Sequence, residues 1–373
     1  MLAWATVIAA TALTVAPAAA RPRYAAFMVD ANTREVLYAN AADEPRHPAS
    51  LTKMMTLYLT FDALEAGRLK ITDPVFVSRH AAAQQPSRLG LAVGQSLSVD
   101  NAISVVAVKS ANDIAVALAE KLGGTEPAFV VMMNAKAQAL GMRNTHFANA
   151  SGLTNATNVT TARDLSILAL ALIHDHPRFY RYFSERDFVW KRATLVNHNH
   201  LLGKMAGLDG IKTGYTVDSG FTLAASAMRG NRRLVAVVMG EPSLAVRNND
   251  ASALLEAGFA VLDRRALGQM ATVNTVLADE DRSALRMDTG LEEPVIAASS
   301  SGFVNRRIVS RHRGRLHERK ATSRHRTAEA KKPARKGAKK TATNKATSKK
   351  AATTSRKSST KAKSAHRHPR ATD

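Results

Sequence analysis

The 373-residue sequence contains no cysteine. Disulfide bonds, thiolate metal ligands and a cysteine nucleophile are therefore excluded, and any covalent chemistry must use another side chain. Apolar residues make up 45% of the chain. That fraction is enough for one large domain, or two ordinary ones, with a sizeable core.

Net charge is almost absent from the first 300 residues, which hold 29 basic and 27 acidic side chains. Residues 301–373 hold 24 Lys and Arg against three acidic residues, and almost no apolar side chain larger than alanine. Such a segment cannot bury enough surface to offset its ordering entropy. We predict a disordered basic Lys/Ala-rich tail over 301–373, a linker over 266–300 and a globular domain over 21–265.

The first 20 residues lack Lys and Arg, are almost entirely apolar or small, and end in three alanines. They resemble a secretory signal peptide cleaved after residue 20. Signal peptides usually begin with basic residues, and this segment has none. Three alternatives to a cleaved signal peptide are therefore kept: an uncleaved anchor, a wrongly assigned start and a buried N-terminal helix. No later segment reaches the roughly 18 apolar residues needed to cross a bilayer. We expect export to the periplasm or cell envelope, with a peripheral inner-membrane location as one form of it.

Strand-like segments lie at both ends of the predicted domain, with helices between them. Two hairpins are expected, one over 24–38 and one over 221–239. Helical spacing predicts helices over 50–66, 99–108, 112–121, 161–174 and 251–262. This order predicts an α/β fold of the α+β type, with an antiparallel sheet whose outer strands come from distant sequence, flanking helices and a helical subdomain.

Three short motifs occur at predicted element boundaries: Ser50-Leu51-Thr52-Lys53 at a helix start, Ser110-Ala111-Asn112 between two helices, and Lys212-Thr213-Gly214 ahead of a strand. Each motif alone is common by chance. Together and in this order they resemble the S-x-x-K, S-D-N and K-T-G signature of class A β-lactamases and penicillin-binding proteins, with alanine in place of the aspartate. The combination predicts one catalytic site.

The spacing of Ser50 and Lys53 suits nucleophilic catalysis. Two side chains three residues apart on a helix share one face, with Cβ atoms about 5–6 Å apart. A serine hydroxyl needs a neighbouring base, and a lysine amine can be that base only where burial or a second cation disfavours its ammonium form. Lys212 is the candidate second cation, and the start of the helix at Ser50 would favour developing negative charge.

The chain resembles the low-molecular-mass penicillin-binding proteins of the D-alanyl-D-alanine carboxypeptidase type, a serine peptidase family, from about residue 25 to 259. Four segments carry the resemblance: 48–56, 110–113, 149–153 and 207–216. It implies a β-lactamase/transpeptidase-like fold and makes 21–265 the catalytic domain. It further implies that Ser50 forms the acyl-enzyme, Lys53 is its general base, Ser110 relays protons to the leaving amine and Asn112 positions the substrate backbone.

The resemblance also implies a carboxylate-binding end of the cleft. Lys212 and Thr213 would meet the terminal carboxylate, and the backbone amides of Ser50 and Tyr215 would form the oxyanion hole. Arg247 matches a family arginine of the carboxylate environment, with an ordinary surface arginine as the alternative.

The implied reaction is removal of the terminal D-alanine from peptidoglycan stem pentapeptides, with β-lactams as covalent inhibitors and no cofactor. An endopeptidase of the same family, which cuts cross-links, is kept as an alternative to the carboxypeptidase. A β-lactamase needs a base for deacylation, which class A enzymes place on a glutamate after the second motif. Residues 144–160 contain no glutamate and Ala111 replaces the motif's aspartate, so slow deacylation is expected.

Two remaining features give no second function. The clusters at 174–176 and 198–200 each hold two histidines but no third ligand at a typical spacing, so no metal site is predicted. The tail resembles histone-like segments, but an exported protein would not meet chromosomal DNA, so no nucleic-acid partner is expected.

We predict that the tail contacts anionic envelope polymers or lipid head groups, with a merely solvated tail as the alternative. The small β-rich domain and C-terminal amphipathic anchor of many relatives do not fit between Arg264 and Ser301.

Overall fold

The structure is a computed structural model that describes residues 23–279. Its strands are β1 (Ala25–Asp30), β2 (Val36–Asn40), β3 (Pro74–Phe76), β4 (Ser96–Ser98), β5 (Asp187–Trp190), β6 (Ala193–Val196), β7 (Leu208–Thr216), β8 (Gly220–Arg229) and β9 (Arg232–Glu241). Its α-helices are α1 (Lys53–Glu65), α2 (Arg79–Ala82), α3 (Val99–Ser104), α4 (Asn112–Gly123), α5 (Glu126–Leu140), α6 (Ala162–Asp175), α7 (Leu244–Ala266) and α8 (Val273–Asp279).

The main sheet is antiparallel and joins both ends of the described chain, in the strand order β2-β1-β9-β8-β7. Its central strands are apolar at almost every position because both faces are covered. Phe27 and Val29 of β1 pack with the helical part that includes α1 and α6, whereas Ala26 and Met28 face the cluster that includes α7. The predicted fold class is confirmed.

Helix α1 runs through the middle of the helical part and is buried on nearly all sides, including Thr56 and Thr60. A helix without a polar face is typical of a core position. A 3-10 turn, Ala49–Thr52, leads into it. Lys53, the first residue of α1, therefore lies inside the protein. The 3-10 turn that precedes it packs against strand β7.

Several elements differ from the sequence prediction. The sequence placed Lys212 ahead of a strand, but it lies within β7, because the strand includes the glycine-rich segment that the hydrophobic pattern did not mark. Helix α5 was not predicted, although Thr125 caps its first turn and Gly141 ends it. Its buried stripe of Phe129, Met133 and Ala137 is narrow, which weakens the helical pattern.

The fold also continues past residue 265. Helix α7 ends at Ala266, and α8 packs on it with Val273, Val276 and Leu277 buried. The remainder of the predicted linker, the predicted signal peptide and the predicted tail lie outside the described residues. None of the helices within 23–279 combines the length and hydropathy that a membrane-spanning helix needs.

Candidate active site

A cleft of about 330 Å³ brings the three motifs together. The predicted site residues on its wall are Ser50, Ser110, Asn112, Thr213, Tyr215 and Arg247. Lys53 and Lys212 lie beneath this wall, 0% and 2% exposed. Segments separated by more than a hundred residues in the sequence thus contribute to one cavity.

The Ser50 hydroxyl and the Lys53 amine are in hydrogen-bond contact, with 3.1 Å between Oγ and Nζ. Ser50 lies on the 3-10 turn and Lys53 begins α1, so the two side chains share one face of a continuous helical path. The serine is half-buried at the cleft surface, whereas the lysine is buried. A substrate can therefore reach the hydroxyl but not the amine.

Two further partners fix the direction of the Lys53 amine. Its Nζ lies 2.7 Å from Oδ1 of Asn112 and 2.5 Å from the carbonyl oxygen of Ser151. The Asn112 amide is oriented by its own Nδ2, which donates to the carbonyl of Gln85 at 2.8 Å. Both oxygens can only accept hydrogen bonds, so each takes one N–H bond of the amine. In the neutral form of the amine, this arrangement leaves the nitrogen lone pair for the contact with Ser50.

The neutral form of Lys53 is favoured by its surroundings. Burial is the main cause that holds the pKa of Lys53 well below its ordinary value, and the charge of Lys212 adds to it, while Asp113 opposes the shift. Asp113 is occupied elsewhere, because its carboxylate accepts hydrogen bonds from the backbone amides of Leu89 and Gly90. These surroundings thus favour the neutral amine, which is the form that can accept a proton.

Ser110 lies at the break between a π-helical turn, Val105–Lys109, and α4. Its backbone is left-handed, with φ of 59° and ψ of 35°, an uncommon conformation for a residue with a side chain. Within residues 23–279 its buried hydroxyl has no hydrogen-bond partner. A strained residue with an unsatisfied hydroxyl on the cleft wall is suited to bind a ligand atom.

The far end of the cleft carries buried positive charge. Burial, and next the charge of Arg247, lower the pKa of Lys212 to about 7, and its Nζ donates to the carbonyl of Thr213 at 3.0 Å. Arg247 is 2% exposed and donates to the carbonyl of Thr222 at 3.3 Å. It is therefore not the ordinary surface arginine considered as an alternative. Two buried cations at one end of a cavity favour an anionic ligand group.

Strand β7 passes directly against the backbone of Ser50. A Cβ atom on Gly214 would lie 2.9 Å from the Ser50 amide nitrogen, so only glycine allows this approach. The next residue, Tyr215, is 55% exposed, and its ring contacts that of Phe221 with 4.3 Å between centroids. The strand and the 3-10 turn thus bring the predicted oxyanion-hole residues, Ser50 and Tyr215, to the same edge of the cleft.

His198 also lines the cleft, and the sequence interpretation missed this because it considered the residue only as a metal ligand. Burial, and then the charges of Lys212 and Lys109, lower the pKa of His198 to about 4, so its ring is neutral at neutral pH. The other cluster lies elsewhere, with Nδ1 of His176 2.9 Å from Glu65 Oε2. No local signal near residue 198 connected it with the three motifs.

The fold and the serine–lysine pair together are those of the active-serine, penicillin-binding class of proteins. A family model described as D-alanyl-D-alanine carboxypeptidase matches residues 12–243. The chain belongs to that family, which confirms the family resemblance found in the sequence.

Curated relatives and solved structures agree with this assignment. The carboxypeptidase DacF of Bacillus subtilis is 37% identical over 246 residues, 65% of this chain and 63% of the relative. DacA of Escherichia coli K12 is 35% identical over 272 residues, 70% of this chain and 68% of the relative. Penicillin binding protein 5 from Haemophilus influenzae is 38% identical with a TM-score of 0.62, covering 63% of this chain and 70% of that one. Penicillin-Binding Protein D2 from Listeria monocytogenes, in its cefotaxime-bound form, is 33% identical with a TM-score of 0.58, covering 63% and 96%. The match thus spans slightly less than two thirds of the Bacillus subtilis protein.

Proposed function

We propose that this protein is a serine-type D-alanyl-D-alanine carboxypeptidase that removes the terminal D-alanine from peptidoglycan stem pentapeptides through an acyl-enzyme on Ser50. The observation that carries the proposal is the environment of Lys53. Its Nζ lies within hydrogen-bond distance of the Ser50 hydroxyl and of two oxygens that can only accept, Asn112 Oδ1 and the Ser151 carbonyl, so the neutral amine would keep its lone pair for Ser50.

The proposed acylation assigns a role to each of the residues around Ser50. Ser50 attacks the carbonyl carbon of the penultimate D-alanine while its proton moves to Lys53. The oxyanion forms beside the backbone amides of Ser50 and Tyr215. As the C–N bond breaks, Ser110 relays the proton that Lys53 took from Ser50 to the leaving D-alanine amine. Its hydroxyl lies on the cleft wall without another partner among the described residues. Water then hydrolyses the ester and frees Ser50.

The positive end of the cleft selects a free carboxylate. Lys212 and Arg247 are buried next to it, and Thr213 supplies a hydroxyl on its wall. A peptide bond inside a linear chain has no free carboxylate to place there. Recognition of a carboxylate would therefore favour cleavage beside a free carboxylate over cleavage inside a linear peptide.

β-Lactam antibiotics are expected to acylate the same serine, because their carboxylate and strained amide imitate this peptide ending. Solved relatives support this, since the Listeria monocytogenes protein D2 is known in cefotaxime-bound and ampicillin-bound forms. Deacylation should be slow, because residues 144–160 offer no glutamate as a base.

The test combines intact-protein mass spectrometry with product analysis. Benzylpenicillin should add its full mass to the protein, the adduct should map to Ser50, and a pentapeptide should release D-alanine. Ser50→Ala should abolish both results without unfolding the protein. Rapid nitrocefin turnover would identify a β-lactamase instead, and faster cleavage of a cross-linked dimer than of a pentapeptide would identify an endopeptidase.

We also propose export to the periplasm or cell envelope, supported by the apolar first 20 residues. The basic segment 301–373 would contact anionic envelope polymers or lipid head groups. Both proposals depend on sequence features outside the described residues.

A further inference from the structure

A second cavity, of about 640 Å³, lies on the helical side, and Glu126 is on its wall with His80 and Glu120. Glu126 is the first residue of α5, and its side chain is only 11% exposed. One carboxylate oxygen accepts a hydrogen bond from the Ala150 amide at 2.9 Å, and the other lies 2.6 Å from Nε2 of His80. This partly buried acid has no contact with Ser50 or Lys53 among the hydrogen bonds of the described residues.

The contact with Ala150 leads directly to the proposed general base. The carbonyl of Ala150 accepts from the Thr56 hydroxyl at 2.7 Å, so both polar groups of this residue are held from outside its own segment. The next carbonyl, that of Ser151, is the acceptor 2.5 Å from the Lys53 amine. Glu126 and Thr56 thus fix the main chain immediately before the group that orients Lys53.

The other hydrogen bonds of this turn do not replace that anchor. Asn149 Oδ1 accepts from the amides of Ser151 and Gly152, and its Nδ2 donates to the carbonyl of Leu153. These bonds shape the turn from within but do not attach it to the helices. Its placement relative to α1 depends on outside contacts such as the one with Glu126.

We propose that Glu126 is a positioning residue for catalysis, which holds the Ala150–Ser151 main chain so that the Ser151 carbonyl takes one N–H of Lys53 and leaves the lone pair aimed at Ser50. This inference deepens the proposed function and rests on it. Glu126 touches neither substrate nor the reacting atoms. Its effect should appear in the rate of acylation and not in the binding of the ligand.

The experiment measures benzylpenicillin acylation of the full chain by rapid-quench mass spectrometry, separating the rate constant of acylation from the dissociation constant of the first complex. Glu126→Ala should lower the rate constant about tenfold or more, since displacements near 1 Å can cost about a hundredfold, with the dissociation constant changed less than twofold. Glu126→Gln keeps an acceptor oxygen for the Ala150 amide and should stay within about threefold of wild type. Glu126→Asp keeps the negative charge at the start of α5, but its shorter side chain would not reach the Ala150 amide. This variant should therefore acylate slowly.

Glu120→Ala is the matched control, because Glu120 is on the wall of the same cavity and accepts from Ser78 but has no hydrogen bond to the 149–153 turn. It should acylate at the wild-type rate. Rates are normalised to the fraction that finally acylates, so that partial unfolding does not imitate slow chemistry. If Glu126→Ala fails to fold, the acylation rate constants of Glu126→Asp and Glu126→Gln are compared instead, and the positioning role requires the Asp variant to be the slower one.

Equal rates for wild type and the Ala and Asp variants would overturn the positioning role, as would a Gln variant as slow as the Asp variant. Wild-type protein that does not acylate at all would instead refute the proposed function.

Discussion

At the residue scale, the site places two lysines inside the protein where their positive charges face each other. Neither Lys53 nor Lys212 has a carboxylate hydrogen-bonded to its amine among the described contacts. Keeping both charged without a paired anion would be costly. The pKa of each lysine is lowered accordingly, that of Lys212 to about 7 and that of Lys53 well below its ordinary value, which favours the neutral amine of Lys53.

A pH profile should show this division of roles. The value of kcat/KM for D-alanine release should rise with pH as Lys53 loses its proton. It should fall again near pH 7 as free Lys212, whose pKa is about 7, loses the charge that binds the carboxylate. Lys212→Arg should remove the falling limb, since arginine stays charged. If kcat/KM of Lys212→Arg still fell near pH 7, the fall would have to come from the titration of a group other than Lys212.

Asn112 offers a second test at the same scale. Asn112→Asp keeps the shape but places a carboxylate 2.7 Å from the Lys53 amine position, which favours the ammonium form. Acylation by benzylpenicillin at pH 7 should fall at least about tenfold, and the rising limb of its pH profile should move to higher pH. A rate equal to that of wild type across the pH range would show that Lys53 is not the base.

At the scale of elements, the position of Ser50, the proposed nucleophile, depends on the close approach of three backbone segments. The 3-10 turn carrying Ser50 lies between β7 and the 149–153 turn. Gly214 allows the first contact, and Gly152 the second, because a Cβ there would lie 1.8 Å from the Ala49 carbonyl oxygen. Ala49 itself has a left-handed φ of 47°. The turn is thus held in a strained conformation by its neighbours.

Gly152→Ala should therefore damage both stability and activity. Gly141→Ala is the control, because this glycine also has a positive φ, of 85°, but a Cβ there meets nothing within 4 Å. Denaturant unfolding should show a loss of about 1–2 kcal/mol for the control and a further ~1–3 kcal/mol for Gly152→Ala from the added clash. Acylation per folded molecule should fall only for Gly152→Ala. Equal losses in the two variants would show that the turn has room for a side chain.

At the scale of the whole molecule, catalysis and net charge belong to different parts of the sequence. All of the proposed site lies within residues 23–279, whereas 24 of the 53 Lys and Arg lie in residues 301–373. Electrostatic attachment and chemistry should therefore be separable by truncation.

A chain that ends at residue 300 should acylate with benzylpenicillin at the wild-type rate but lose binding to anionic lipid vesicles and isolated cell walls. The full chain should bind both at low ionic strength and dissociate as salt screens the charges. A full-length variant with glutamine at the tail's Lys and Arg positions controls for length and should behave like the truncated chain. Co-sedimentation measures the result, and salt-independent binding of the truncated chain would contradict the proposed role of the tail.

The sequence by itself determined what depends on local spacing. Ser50 and Lys53 share a face because helical geometry acts over three residues, and the apolar patterns located α1, α4, α6 and every strand of the main sheet except β7. The family was also identifiable from its motifs. Only the tertiary structure decided which oxygens meet the Lys53 amine, since Asn112 and Ser151 are 59 and 98 residues away along the chain. The burial of Arg247, the neutral His198 in the cleft and the contact of Glu126 with Ala150 arise in the same way. Packing between distant segments creates these environments, and no local pattern of residues encodes them.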